Sequence, residues 1–133
     1  MTDQEALREQ LKAMVGKSQR SLRAAKEHLA KGDLDFASSK AYYAVFHLMQ
    51  AALLTKGKTY SKHAGVISGF SESFIKTGIF PKRFGESIQR LRKDRELSDY
   101  GYQLSVASEE ASRDVKTAEE PLEFLSKYLS PYV

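Results

Sequence analysis

Residues 41–54 read Ala-Tyr-Tyr-Ala-Val-Phe-His-Leu-Met-Gln-Ala-Ala-Leu-Leu, a run in which only His47 and Gln50 are polar. Apolar residues occupy every side of the helix that it would form, so other helices of the chain or a second copy of the molecule must cover it all round. A helix that crosses a bilayer needs roughly 20 such residues, and this run is shorter. The stretch therefore predicts a buried central helix, placed at about residues 33–56, and no membrane span.

The segments on either side predict the helices that cover this central one. Residues 4–31 place apolar side chains at alternating three- and four-residue steps, which is the pattern of an amphipathic helix. A shorter helix follows the central one, and a fourth begins at Pro81. The last begins near Val106, and Pro121 should kink or interrupt it. No segment alternates as a strand does, so the prediction is an all-α, antiparallel bundle of four long helices plus one short helix.

Composition limits the classes of protein to which the chain can belong. Residues 1–133 are enough for a single domain with one core. The chain has no cysteine, which excludes disulfides and thiolate metal sites, and its three histidines lack metal-ligand spacing. It has no phosphate loop or dinucleotide-binding motif, so we expect neither a metal nor a cofactor. The first residues do not resemble a secretory signal, and the expected location is the cytoplasm.

The net charge of +4 is distributed unevenly along the chain. Residues 56–95 hold ten Lys and Arg against three acidic residues, whereas residues 96–133 hold three basic against eight acidic ones. The basic part would suit a phosphate-bearing partner or be solvated helix surface, and the sequence leaves both open. The predicted phosphate-binding residues lie on the fourth helix: Arg90, Arg92, Lys93 and Arg95.

The basic segment ends in Arg95-Glu-Leu-Ser-Asp-Tyr-Gly-Tyr102, which carries the candidate chemistry. A guanidinium can bind phosphate through two parallel hydrogen bonds. Asp99 follows Arg95 by four residues on the same helical face and is expected to orient it. Tyr100 is a poor general base, because a phenol with a pKa near 10 is ionised in about one molecule in a thousand at pH 7. His63 is expected at a helix start, where the helix dipole keeps it neutral.

Three parts of the sequence together resemble a prokaryotic HEPN domain. They are Ala41-Tyr-Tyr-Ala-Val-Phe-His-Leu48, His63-Ala-Gly-Val-Ile67 with Phe74-Ile-Lys-Thr-Gly78, and Arg95 followed by Asp99-Tyr100. The similarity covers about residues 22–129. It implies an all-α bundle that commonly forms a homodimer through its central helices. It also implies that many such proteins are metal-independent endoribonucleases, often toxins paired with a small MNT-type nucleotidyltransferase as antitoxin, while others are binding modules that have lost the nuclease.

The resemblance also implies a set of site residues. The nuclease signature of the family is an arginine, four to six residues, then a histidine, often followed two residues later by a tyrosine that MNT partners adenylylate in some pairs. Arg95 matches the arginine, Tyr100 stands where the histidine is expected, and Tyr102 matches the trailing tyrosine. The predicted catalytic residues are therefore Arg95, Asp99 and Tyr100, and Tyr102 is a candidate modification site.

Three functions remain open on the sequence alone. The first is a homodimer that binds RNA or nucleotide phosphate in a cleft where two Arg95 side chains converge. The second is an active metal-independent endoribonuclease toxin in which Tyr100, Asp99 or His63 replaces the missing histidine. The third is an interaction subunit without chemistry that docks an MNT-type nucleotidyltransferase. Binding and partner roles rank above catalysis, because the departure from the signature falls on the proton-transfer position.

Overall fold

The computed structural model describes residues 1–100 and 107–133, and this part of the chain is helical without a strand. The predicted all-α bundle of four long helices and one short helix is confirmed. The long helices are α1 (Asp3–Lys31), α2 (Leu34–Thr55), α4 (Lys82–Tyr100) and α5 (Ser108–Leu129). The short helix α3 (His63–Phe70) continues into a π-helical turn, Ser71–Ile75, and a 3-10 turn, Ser130–Tyr132, follows α5.

The central position of α2 follows from its lack of a polar face. It packs against α1, α4 and α5, and most of residues 41–54 are buried in the core. The members that stay partly accessible are Tyr43, His47, Gln50 and Leu54. Their spacing of three and four residues places them on one side of the helix. Helices of the same chain therefore cover α2 everywhere except along this stripe.

Stacked phenylalanines connect the short helix to its neighbours. Phe70, Phe74, Phe80 and Phe84 form ring contacts with centroids 4.9–5.8 Å apart. Aromatic pairs at this separation contribute about 0.5–1.5 kcal/mol beyond the burial of their surface. The cluster joins the end of α3 and its π-helical turn to α4.

Pro121 was expected to kink or interrupt α5, and the expected interruption was wrong. The helix runs from Ser108 to Leu129 with Pro121 inside it. Pro121 is buried beside Ala118, Leu122 and Leu125 on the face that meets the core. The apolar surface buried along this face offsets the roughly 3 kcal/mol that an internal proline costs a helix.

A buried polar network joins α2, α4 and α5. The side chain of Asp114 is fully buried, and the Ser38 hydroxyl donates a hydrogen bond of 2.8 Å to its Oδ2. Arg90 Nε lies 3.6 Å from Oδ1. Burial, followed by a hydrogen bond with the carboxyl group of Asp94, raises the pKa of Asp114 to about 8. The carboxyl group of Asp114 is therefore largely protonated at neutral pH.

We predict that Gly69 is required for the contact between Tyr60 and α3. A Cβ atom at position 69 would lie 2.5 Å from two ring carbons of Tyr60. Glycine in a helix costs about 1 kcal/mol relative to alanine, so Gly69→Ala in a Tyr60→Ala background should stabilise the protein by about that amount. In the wild-type background the displaced Tyr60 ring should cancel most of this gain. Urea denaturation of the four variants measures the coupling, and equal effects in both backgrounds would contradict it.

Candidate functional site

The candidate site lies where the end of α4 meets the start of α3 and the middle of α2. Residues Phe84, Ile88, Leu91 and Arg95 follow one another at steps of four, three and four, so Arg95 continues the buried stripe of α4. Its side chain accordingly points into the bundle, and the residue is only 6% exposed. A buried guanidinium needs polar or aromatic neighbours.

Arg95 finds these neighbours on three helices. Its Nη2 lies 3.2 Å from Nδ1 of His63, and its Nη1 lies 3.4 Å from Oδ2 of Asp99. Its guanidinium carbon lies 5.0 Å from the ring centre of Tyr42 and 5.7 Å from that of Tyr43, which are cation–π distances. The ion pair that the four-residue spacing predicted between Arg95 and Asp99 is present.

The hydrogen bonds of His63 define its protonation state. Its Nδ1 lies 3.0 Å from the Tyr42 hydroxyl as well as 3.2 Å from Arg95 Nη2. A guanidinium only donates, so Nδ1 accepts from Arg95 and carries no proton. The Tyr42 hydroxyl then donates to the same nitrogen, and the ring proton is on Nε2. The ring stacks on Phe46 at a centroid distance of 4.3 Å, which fixes its plane.

The electrostatics of the site support this assignment. Burial lowers the pKa of His63, the charges of Arg95 and Arg92 lower it further, and Asp99 opposes them. Burial raises the pKa of Tyr42 despite the nearby Arg95 charge, so its hydroxyl keeps its proton. The lowered pKa of His63 agrees with the prediction that its ring is neutral. The causes are burial and the charges of two arginines, whereas the prediction had named the helix dipole.

We predict that the imidazole of His63 titrates below the ordinary histidine pKa of about 6.5. NMR titration should show its pKa moving back towards that value in Arg95→Met and falling further in Asp99→Asn. Because the folded-state pKa is lowered, the contribution of His63 to stability is complete above pH 6.5 and is lost as the pH falls through the folded-state value. A titration at 6.5 or above in the wild type would contradict the hydrogen bonds assigned to Nδ1.

The predicted phosphate-binding residues are only partly brought together. Arg92 lies one turn before Arg95, is 29% exposed at its side chain, and pairs with Glu96 at 3.3 Å. Lys93 is exposed. Arg90 instead turns towards α5 and the buried carboxylate of Asp114. Arg90 was expected on the solvated surface. Because it precedes Arg95 by five residues on the helix, its side chain points away from Arg95 and joins the polar network of the core.

The remaining predicted residues are the tyrosines of the motif. Tyr100 is described only as the last residue of α4, and Tyr102 lies outside the described residues. Tyr42 and Tyr43 were not among the predicted site residues. Their signal was present, since two adjacent phenols in a buried helix require polar partners, but the sequence did not show that those partners are His63 and Arg95.

The arrangement combines two chemical capabilities. The guanidinium of Arg95 can stabilise negative charge on phosphate. The neutral imidazole of His63 can accept a proton at Nδ1 once the hydrogen bond from Arg95 or Tyr42 to this nitrogen breaks. Within residues 1–100 and 107–133, no cluster of three or more His, Cys, Asp or Glu side chains could hold a metal ion. In the same part of the chain, no helix has the length and hydrophobicity to cross a bilayer.

Comparison with known proteins identifies relatives across most of the chain. It is 34% identical over 96 residues to a UPF0332 protein of Thermotoga maritima, covering 72% of this chain and 73% of that protein. It is 33% identical over 102 residues to a candidate toxin of Methanocaldococcus jannaschii, covering 77% of this chain and 69% of that protein. A second candidate toxin of the same organism is 35% identical over 94 residues, covering 71% of this chain and 70% of that protein.

A solved structure and a family model also match the chain. The structure is similar to the crystal structure of TT1696 from Thermus thermophilus, with a TM-score of 0.74 over 88% of this chain and 96% of that one. The two sequences are 18% identical, so this likeness concerns the fold alone. The HEPN domain family matches residues 11–128, which run from α1 to α5 and include the cluster around Arg95. The chain belongs to the HEPN domain family.

Proposed function

We propose that this protein is a toxin-like HEPN homodimer that binds RNA phosphate through Arg95 in a cleft between its two subunits. The observation that carries the proposal is the guanidinium of Arg95, held between two phenol rings and a neutral imidazole, with a carboxylate on its outer side. An arginine fixed in this way presents its donors in a set direction, which suits a phosphate group.

Asp99 indicates how a phosphate would reach Arg95. The distance of 3.4 Å between Nη1 and Oδ2 exceeds the 2.7–2.9 Å of a strong charge-assisted hydrogen bond, and the Asp99 side chain is 29% exposed. A phosphate oxygen can therefore take the position of this carboxylate at small cost. One subunit exposes too little of Arg95 to hold a phosphodiester alone, so the proposal requires a second subunit whose Arg95 faces the same groove.

We predict that Asp99→Asn binds RNA more tightly than the wild type. The change removes a negative charge that competes with phosphate for Arg95, and an affinity gain of about fivefold corresponds to about 1 kcal/mol. Fluorescence anisotropy with a labelled single-stranded oligonucleotide at low salt measures it. Glu96→Gln, which removes the same charge one turn away beside Arg92, is the matched control and should have a smaller effect.

The same measurements decide the proposal itself. Wild-type protein should bind RNA with an affinity that falls as salt is raised, and should sediment as a dimer at the concentrations used. A monomer in solution, or RNA binding that neither Asp99→Asn nor Arg95→Ala alters, would refute the proposal.

Metal-independent cleavage of RNA is a second candidate function, and the position of His63 favours it. The signature histidine is absent from position 100, yet an imidazole lies 3.2 Å from Arg95. In this reaction a base removes the proton of a ribose 2′-hydroxyl, the 2′-oxygen attacks phosphorus, and the bond to the 5′-oxygen breaks as that oxygen takes a proton from water. His63 would accept the first proton and Arg95 would stabilise the charged phosphorane.

Incubation of the dimer with RNA in EDTA tests this second candidate. Cleavage should leave 2′,3′-cyclic phosphate ends, and His63→Ala should abolish it while RNA binding is kept. If the RNA stays intact after incubation with wild-type protein, cleavage is refuted and RNA binding remains as the proposed function.

We further propose an MNT-type nucleotidyltransferase as the partner of this protein. Two relatives are named as candidate toxins, and the resemblance implies such a partner for toxins of this family. Co-expression with a small nucleotidyltransferase should yield a stable complex, and an increase in mass at Tyr102 would identify that residue as the modified one. A complex that forms while wild-type protein binds no RNA would favour a pure interaction subunit.

A further inference from the structure

We infer that the Arg95 site continues across the outer stripe of α2 as a track for single-stranded RNA, in which His47 stacks on a base and Lys17 and Lys40 bind the neighbouring phosphates. The inference rests on the proposed RNA-binding function and extends it by naming the strand type and a second set of contacts. None of these three residues lies in the motif that ends α4.

The track begins with ring contacts that lead from Arg95 to His47. The guanidinium carbon of Arg95 lies 5.7 Å from the Tyr43 ring centre. The Tyr43 ring is stacked on the His47 ring, with centroids 6.0 Å apart and planes inclined by 28°. Tyr43 also meets the edge of His63 at 5.8 Å. The cation of the site and the imidazole of His47 are thus joined through a single shared phenol ring.

The accessibility of α2 places His47 at the surface. Lys40, Tyr43 and His47 are spaced by three and four residues and lie on one side of the helix. Lys40 is exposed, Tyr43 and His47 are partly exposed, and most of the remaining side chains in residues 41–54 are buried. A partly exposed aromatic ring at the surface can stack on an unpaired base.

Two lysines flank this ring from different helices. The Ser18 hydroxyl donates a hydrogen bond of 2.6 Å to the Ala44 carbonyl, which holds this part of α1 against α2, and the exposed Lys17 directly precedes Ser18. Lys40 lies two turns before His47 on α2. Burial lowers the pKa of His47, the charges of Lys17 and Lys40 lower it further, and a hydrogen bond with the Gln50 side chain opposes them. His47 is therefore neutral at pH 7 and takes part as a stacking ring, while the lysines supply the charge.

Single-stranded RNA fits this combination better than a duplex. Stacking requires a base face that is not already covered by its neighbours, and a helical duplex hides these faces. The three basic contacts at Arg95, Lys40 and Lys17 lie on α4, α2 and α1, which suits a flexible backbone that can follow the surface of the bundle.

Binding of a dinucleotide, a single-stranded decanucleotide and a ten-base-pair duplex to the dimer tests the inference. Lys17→Ala with Lys40→Ala should leave dinucleotide binding unchanged, weaken decanucleotide binding about tenfold at low salt, and reduce its logarithmic salt slope by about 1.4, because each phosphate contact on a single strand contributes about 0.7. His47→Ala should weaken decanucleotide binding by a similar factor without changing the slope. The duplex should bind more weakly than the decanucleotide in the wild type.

A matched pair of lysines provides the control. Lys26→Ala with Lys116→Ala removes the same charge from exposed positions, and Lys26 lies on the opposite side of α1 from Lys17 because nine residues correspond to two and a half turns. Two outcomes refute the track and leave the Arg95 site in place. In the first, both double variants weaken binding equally. In the second, neither double variant weakens binding while Arg95→Ala abolishes it. If wild-type protein binds none of the three ligands, the proposed function fails together with the track.

Discussion

Arg95→Ala is expected to abolish most RNA binding and to lower the free energy of unfolding by about 3 kcal/mol. The stability loss follows from the burial of the side chain, which is 6% exposed. Truncation removes cation–π contacts worth about 1 kcal/mol each, and it removes the hydrogen bond that Arg95 donates to Nδ1 of His63. The binding loss should be about a hundredfold, because two hydrogen bonds from a guanidinium to phosphate contribute about 1.5 kcal/mol each.

Arg92→Ala is the matched control for this prediction. Arg92 belongs to the same helix, lies one turn away and pairs with Glu96 at the surface, so its removal should cost under about 1 kcal/mol of stability. Urea denaturation gives the stabilities, and anisotropy titrations give the affinities. Arg95→Lys keeps the charge without the planar fork and should recover only part of the binding. Equal losses in the Arg92 and Arg95 variants would contradict a special role for Arg95.

Asp114→Asn is expected to make the protein more stable than the wild type above pH 8. Burial raises the pKa of Asp114 to about 8 from an ordinary value of 3.8. A raised folded-state pKa means that the contribution of the group is complete below pH 4 and is lost as the pH rises to 8. Because the Asp114 carboxyl group interacts with the neighbouring Asp94, we expect a loss of about 3 kcal/mol rather than the larger value for an isolated carboxyl group. Asparagine keeps an acceptor for Ser38 and never ionises.

The difference in unfolding free energy between Asp114→Asn and the wild type, measured from pH 4 to pH 9, checks this prediction. The comparison cancels the titration of His63 and His47, which both forms share. Glu119→Gln, an exposed change on the same helix, should leave the pH profile unaltered. Parallel profiles for Asp114→Asn and the wild type would show that Asp114 is already ionised at neutral pH.

The helices could be predicted because their signals are local. The boundaries of α1 and α2 fall within one residue of the predicted 4–31 and 33–56. Pro121 misled the prediction because a local rule was applied to a helix whose stability comes from tertiary packing. The π-helical turn Ser71–Ile75 was not predicted from the sequence.

The site was predictable only in part. Arg95 and Asp99 lie four residues apart, so helical geometry alone predicts their contact. The ion pair of Arg90 was not predicted, because its partner, Asp114, lies on another helix. The catalytic roles assigned to Arg95, Asp99 and Tyr100 stay predictions, as does the modification of Tyr102.

The all-α HEPN bundle around residues 41–54 could be predicted from the sequence, because hydrophobic periodicity and a helix without a polar face are properties of neighbouring residues. The meeting of His63 and Tyr42 with Arg95 depends on tertiary packing. His63 is separated by 21 residues from Tyr42 and by 32 from Arg95, and its two contacts depend on the angle at which α3 packs between α2 and α4. Such an angle is set by many side chains at once, above all the stacked phenylalanines of the core, and no short pattern encodes it.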